Sequence, residues 1–262
     1  MATKKKMKTL SDKMAYHNQA FLESNFGRPV RILSEFLAPA QVFAKEQIKN
    51  TIVFFGSART LSHSEILAKQ KSSKNKKELE RLKKLKLVES YYESAQKLAQ
   101  KLGIWANKKH NGMAVCTGGG PGIMEAGNRG ASDVGTPSIG LNIKLPFEQH
   151  HNAYIDDPLN LQFRYFFMRK YWFMHMAKVL VAFPGGFGTL DELFEVLTLI
   201  QTKKSEKIPV VIFGKEYWNN LINWNYLAET GMIDEADLKL FFMTDSVEEA
   251  YKYITECLDS EK

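Results

Sequence analysis

Short, uninterrupted apolar runs that alternate with helix-patterned segments constrain this chain more than any other feature. The runs are "TIVFF" before Gly56, "MAVCT" before Gly118, "PSIGLNI", "KVLVAF" before Pro184 and "IPVVIF" before Gly214, with a possible short sixth in "LFFMT". A run apolar at successive positions suits a strand buried on both faces, which is the habit of parallel sheets. Between them, Val88, Tyr91, Tyr92, Ala95, Leu98, Ala99 and Leu102 recur at helical spacing and predict an amphipathic helix ending near Gly103. "LQFRYFFMRKYWFMHMA", "GKEYWNNLINW" and "DSVEEAYKYITECL" read as further helices. Strands alternating with helices predict one α/β domain built on a doubly wound parallel sheet, with ligands at the carboxyl ends of the strands. Residues 1–47 read as a helical lead-in to a domain over 48–262, interrupted by a basic insertion at 61–86.

The charge distribution bears on the partners. The chain's net +7 becomes −4 once the +7 of residues 69–86 and the four lysines of "KKKMK" are set aside. Basicity confined to a tail and an insertion reads as a solvated segment rather than a nucleic-acid face, and no aromatic residue interleaves the insertion's lysines. A lid, an interface element and a disordered insertion all fit residues 61–86. No apolar run reaches membrane-spanning length and the basic N-terminus lacks the apolar core of a secretory signal. Cys116 and Cys257 have no metal-type spacing and make no disulfide framework, so a reducing cytoplasm is expected. None of the six histidines, the adjacent His150 and His151 included, makes a two-ligand spacing; no metal is expected.

Two glycine-rich turns carry the chemistry. Gly118, Gly119, Gly120 and Gly122 form one; Gly185, Gly186 and Gly188 form the other. At the junction of a strand end and a helix N-terminus, free amides and the helix dipole favour an anion, and glycines let a phosphate approach the backbone. Neither turn is a P-loop or a G-x-G-x-x-G fingerprint. Thr189 and Glu192 have the spacing of a capping box, which competes with a role for Glu192 in a site. Glu195 follows on the same face. The aromatic segment from Phe163 to Phe173 is too rich for one buried stripe, and is shared between core packing and a partner subunit. Arg164, Arg169 and Lys170 inside it are either paired in salt bridges or contact substrate.

The combination of "GGGPGIMEAGNRGA", "FFMRK" and "PGGFGTLDELFE" resembles the LONELY GUY family, the cytokinin riboside 5′-monophosphate phosphoribohydrolases, formerly labelled lysine decarboxylase-like. The resemblance covers roughly residues 48–258, and "GSAR" with "GLNIKLPFEQ" is similar to the family's longer bacterial branch. It implies a Rossmann-like fold, a homodimer or larger homo-oligomer, no cofactor, and cleavage of a nucleoside 5′-monophosphate to free base and ribose 5-phosphate. It implies phosphate binding by Gly185, Gly186, Gly188 and Thr189, and catalysis by Arg169 and Glu192. Gly118, Gly119, Gly120, Ser57 and Lys170 become nucleotide contacts, with Arg59, Asn142 and Glu125 as lesser candidates. A carboxylate near the anomeric carbon suits an oxocarbenium-like transition state. Arg169 would hold phosphate or ribose hydroxyls, or orient Glu192. Two other readings compete: a nucleotide sensor or molybdenum-cofactor carrier, and an amino-acid decarboxylase. The last needs pyridoxal phosphate on a Schiff-base lysine, and nothing marks one.

Overall fold

In the computed structural model, which describes residues 14–86, 89–145 and 151–260, each of the six apolar runs contributes a strand to one sheet. In chain order the elements are α1 (Gln19–Glu23), α2 (Arg28–Lys45), β1 (Asn50–Phe55), α3 (His63–Ser72), α4 (Lys76–Lys86) and α5 (Ser90–Lys109). Then come β2 (Met113–Thr117), α6 (Ile123–Ser132), β3 (Ser138–Ile143), β4 (Asn160–Phe163), α7 (Phe166–Met176) and β5 (Ala177–Ala182). The chain continues through α8 (Phe187–Gln201), β6 (Val210–Phe213), α9 (Lys215–Leu221), α10 (Trp224–Glu229), β7 (Phe242–Thr244) and α11 (Val247–Asp259).

The strands lie in the order β4-β3-β2-β1-β5-β6-β7, and every neighbouring pair is parallel. Helices cover both faces, which is why the strands read as continuous apolar runs. In β1, Val53 and Phe55 enter one core while Ile52 and Phe54 enter the other. The sheet therefore separates one core, which includes Trp172, Leu193 and Trp218, from another, which includes Tyr92, Leu102 and Ile254. The protein is a single α/β domain of Rossmann-like, doubly wound type. Strand order reverses between β1 and β5, and there the carboxyl ends are zipped together: Phe183 N–H donates to Phe55 O at 2.8 Å and Ser57 N–H to Pro184 O at 3.0 Å. A crevice outside that switch point is where open α/β sheets take their ligands.

Several expectations need correction. The helix predicted from residue 161 begins at Phe166, because Leu161–Phe163 pair with β3 as an edge strand. Leu161 and Phe163 turn inward and Gln162 outward, a period of two hidden by the aromatics that follow. The helix predicted to stop near Gly103 runs to Lys109. Gly103 is a packing glycine: a Cβ there would lie 2.5 Å from Thr136 Oγ1, so its bareness lets α5 close on the segment before β3. Val88, His150 and the "KKKMK" tail lie outside the described residues. The basic insertion is helical, with α3 and α4 forming a hairpin around Ile66 and Leu82, which are 1% and 2% exposed. No helix among the described residues is long and apolar enough to cross a membrane.

Candidate active site

At the switch point the ends of β1, β2 and β5 open into a cleft of about 740 Å³. Gly56, Ser57 and Arg59 enter it from β1, Gly118 from β2, Phe166 and Arg169 from α7, and Pro184 to Thr189 from the β5–α8 turn. Glu192 lies on its wall, with Tyr217 of α9 and Leu85 of α4.

The β5–α8 turn is built to leave backbone donors forward. Gly186 is the N-cap of α8 and offers no side chain to it. Helical bonding starts with Leu190 N–H donating to Gly186 O at 3.1 Å, so the amides of Phe187, Gly188 and Thr189 stand ahead of it. The predicted capping box does not form: Thr189 is the third residue inside the helix, which leaves Glu192 one turn too deep to reach the cap. Thr189 instead packs on Gly185, where a Cβ would lie 2.1 Å from its Oγ1. Tyr217 donates its hydroxyl to Gly185 O at 2.5 Å and ties the turn to α9. Nothing in the sequence signalled Tyr217, which lies 32 residues from its acceptor.

Arg169 and Glu192 both line the cleft, near enough for each charge to act on the other. Arg169 is half-buried; its Nε donates to Leu141 O at 2.7 Å and its guanidinium lies 5.1 Å from the Phe173 ring centroid. Gly118 makes room for it, since a Cβ there would lie 2.4 Å from Arg169 Nη2. Burial lowers the Arg169 pKa, opposed by the charge of Glu192. Glu192 is only 7% exposed. Burial pushes its carboxyl up to about 7, although Arg169 and Lys170 pull the other way. A group balanced there exchanges protons at neutral pH, as a general base or acid must.

Lys170 is not on the cleft wall. Its Nζ pairs with Asp191 at 2.8 Å and Glu195 at 3.1 Å. Burial lowers its pKa, but the neighbouring carboxylates together outweigh burial and the net shift is upward. The salt-bridge reading therefore holds for Lys170, and the bridge joins α7 to α8 beside the Arg169–Glu192 pair. The aromatic segment divides as well: Phe163, Trp172 and Phe173 are buried, while Phe166, Phe167 and Tyr171 are exposed.

The second glycine turn proves to be differently employed. Gly118 alone of the turn lines the cleft; Gly119 and Gly120 do not. Gly119 donates its amide to Thr117 Oγ1 at 3.0 Å, and Asn152 donates to the carbonyls of Gly119 and Gly120 at 2.9 and 3.0 Å. Beneath them Asn128 accepts from Thr117 Oγ1 at 2.5 Å and Asn152 Nδ2 at 2.9 Å, and donates to Ser138 Oγ and Ile139 O at 2.9 and 3.0 Å. Asn128→Ala should therefore destabilise the protein by about 2 kcal/mol, read as a lower urea midpoint, because buried partners are left unpaired. An unchanged midpoint would deny the network that role. Asn142 donates to Asn160 Oδ1 at 2.7 Å, and Glu125 accepts from Tyr92 at 2.8 Å. Among the described residues, no cluster of three or more His, Cys, Asp or Glu side chains is arranged to hold a metal.

Comparison with known proteins agrees with this architecture. A family model described as "Possible lysine decarboxylase" matches residues 124–254, half of the chain. The probable cytokinin riboside 5′-monophosphate phosphoribohydrolase LOG4 of Oryza sativa subsp. japonica is 34% identical over 82 residues. That match spans 30% of this chain and 35% of the rice protein. Among solved structures, the molybdenum cofactor carrier protein of Chlamydomonas reinhardtii is similar in fold, with a TM-score of 0.50 and 19% identity. The alignment covers 80% of this chain and 99% of that one.

Proposed function

We propose, because the chain belongs to the LONELY GUY family, whose model carries the description "Possible lysine decarboxylase", that it hydrolyses the N-glycosidic bond of a nucleoside 5′-monophosphate. The observation that supports this reading is one cleft holding both the forward-facing amides of the β5–α8 turn and a buried carboxyl titrating near 7. The phosphate sits on the turn of Gly185, Gly186, Gly188 and Thr189, where amides and the helix dipole meet it. That anchor holds the ribose against Glu192. As the C1′–N bond breaks, its electron pair leaves with the base, and positive charge gathers on the ribose facing the carboxylate. Glu192 accepts a proton from the water that adds at C1′ and that proton passes on to the departing base nitrogen, giving ribose 5-phosphate and the neutral free base with the carboxylate restored. Arg169, fixed by Leu141 O, directs its charge at the phosphate or ribose hydroxyls and keeps the ionised form of Glu192 accessible.

A decarboxylase would need a lysine to carry pyridoxal phosphate. The cleft lining contains no lysine among the described residues, and Lys170 is held protonated by two carboxylates. The residues do not fit that cofactor.

The test is release of free base from a panel of nucleoside 5′-monophosphates, AMP foremost, with the matching nucleosides as controls. Base released from the monophosphates alone is the expected result. Binding without release from any of them would move the protein to the carriers or sensors. The double variant Gly186→Ala/Gly188→Ala examines the anchor separately. A Cβ at either position meets nothing within 4 Å, so the fold should be spared while the methyls obstruct a phosphate. KM should rise about tenfold or more, the loss of a charge-assisted hydrogen bond or two; an unchanged KM would place the phosphate elsewhere. We further assign the active form as a cytoplasmic homodimer or larger homo-oligomer, joined through exposed Phe167, Tyr171 and Phe194 on α7 and α8. Light scattering giving a monomer would refute that assembly.

A further inference from the structure

The basic hairpin is placed where its charge can act on the cleft. The chain leaves the end of β1 through Thr60, a cleft residue, and enters α3 under a capping box formed by Ser62 and Glu65. His63 secures that corner to α5, its amide donating to Glu93 at 2.9 Å and its ring 3.3 Å from Glu89. The hairpin turns at Ser73–Asn75 and α4 returns toward the cleft, which Leu85 lines. Thus the tip lies far from the site and the end of α4 lies at its mouth. Arg81, Lys83 and Lys84, all exposed, flank Leu85 within about 6 Å along the helix axis at 1.5 Å per residue. That is inside one Debye length, about 8–10 Å at physiological ionic strength.

The cleft lining sets Asp191 and Glu192 against Arg59 and Arg169, so its charged side chains cancel, and the chain outside the tail and residues 69–86 carries a net −4. Side chains that cancel at the site and a net negative remainder give an approaching phosphate dianion no long-range attraction, so a positive field at the mouth would set how fast it arrives. We propose that the hairpin is a substrate-capture element: Arg81, Lys83 and Lys84 make the cleft mouth cationic and select ligands bearing a phosphate. The idea rests on the nucleotide reading of the cleft and adds to it a recognition step outside the catalytic pair. It also explains why charges that look merely solvated are concentrated on a segment that returns to the site. Steering of this kind raises association rates by about 10- to 1,000-fold and decays with salt.

The test uses ribose 5-phosphate, which carries the phosphate and has no bond to cleave, with ribose as the neutral control. Its association is measured from 0.05 to 0.5 M salt for the unmodified protein, for Arg81→Gln/Lys83→Gln/Lys84→Gln, and for the tip variant Lys74→Gln/Lys76→Gln/Lys77→Gln. The mouth variant should associate about tenfold more slowly at low salt and converge with the unmodified protein at high salt. The tip variant should lose much less. All six side chains are exposed, so melting temperature serves as the control for folding. Coincident salt curves for the mouth variant and the unmodified protein would overturn the proposal, as would equal losses from mouth and tip. Base release from AMP, assayed on the same samples, judges the hydrolase separately. Release with coincident curves keeps the enzyme and removes the capture element; separated curves without release do the reverse.

Discussion

Replacing Glu192 by glutamine is expected to lower base release from a nucleoside 5′-monophosphate by about 10³-fold, while the nucleotide still binds. Glutamine keeps the volume and a hydrogen-bonding end but neither takes a proton nor carries the charge that faces a developing oxocarbenium ion. Retained turnover would remove Glu192 from the mechanism. In the unmodified protein, kcat/KM should rise with pH and level off above about 7, where the carboxyl is ionised. The same group gives a stability signature of definite sign. Its folded value of about 7 lies above the ordinary glutamate value of 4.5, so between those values the folded state holds a proton that the unfolded chain has released. Stability must then fall as pH rises through that window. Above it, the cost of the buried ionised carboxylate is on the order of 3 kcal/mol. Glu192→Gln removes this cost, so its urea midpoint should exceed that of the unmodified protein at pH 8 and match it near pH 4. Midpoints that differ equally at both values would contradict the buried-ion account.

Gly118→Val should lower kcat by about 10²-fold, because it strikes the guanidinium rather than the phosphate turn. The new Cβ would arrive 2.4 Å from Arg169 Nη2 and 2.8 Å from Met124 Sδ, and the methyls beyond it reach further. Both neighbours are ends of flexible side chains, so the strand and turn can survive while Arg169 leaves Leu141 O and swings from the cleft. Circular dichroism should stay native as activity falls. A variant with full activity and an intact fold would mean that the position of Arg169 is immaterial to the reaction. Since a one-ångström displacement of a positioning group costs rate without costing fold, Arg169→Lys should also lose activity: an ammonium lacks the planar fork that reaches both the carbonyl and a ligand oxygen.

The sheet was legible from the chain because burial on both faces writes parallel strands as unbroken apolar runs. "KVLVAF" and "IPVVIF" gave themselves away in this manner. β4 did not, because Leu161–Phe163 is short and runs into an aromatic helix of similar hydrophobicity. The two glycine turns were legible as turns, yet their different uses were not. Gly119 has its amide occupied by Thr117, a bond that depends on the Asn128 network drawing together β2, α6 and the loop at Asn152. Thr189 and Glu192 matched a capping box by spacing, and only the position of the N-cap at Gly186 separated the two readings.

The sequence by itself determined the alternating architecture and the glycine turn at Gly185–Gly188, since these follow from local spacing and residue type, while Arg169 and Glu192 stood out as a pair only through the family resemblance. The tertiary structure alone decided that strand order reverses between β1 and β5, that Arg169 and Glu192 line one cleft at that point while Lys170 pairs with Asp191 and Glu195, and that Tyr217 and Leu85 line the same cleft. The reason is physical: spacing specifies which face of its own helix a side chain occupies, whereas the opposing group, and with it the burial that pushes Glu192 to about 7, exists only once remote segments pack together.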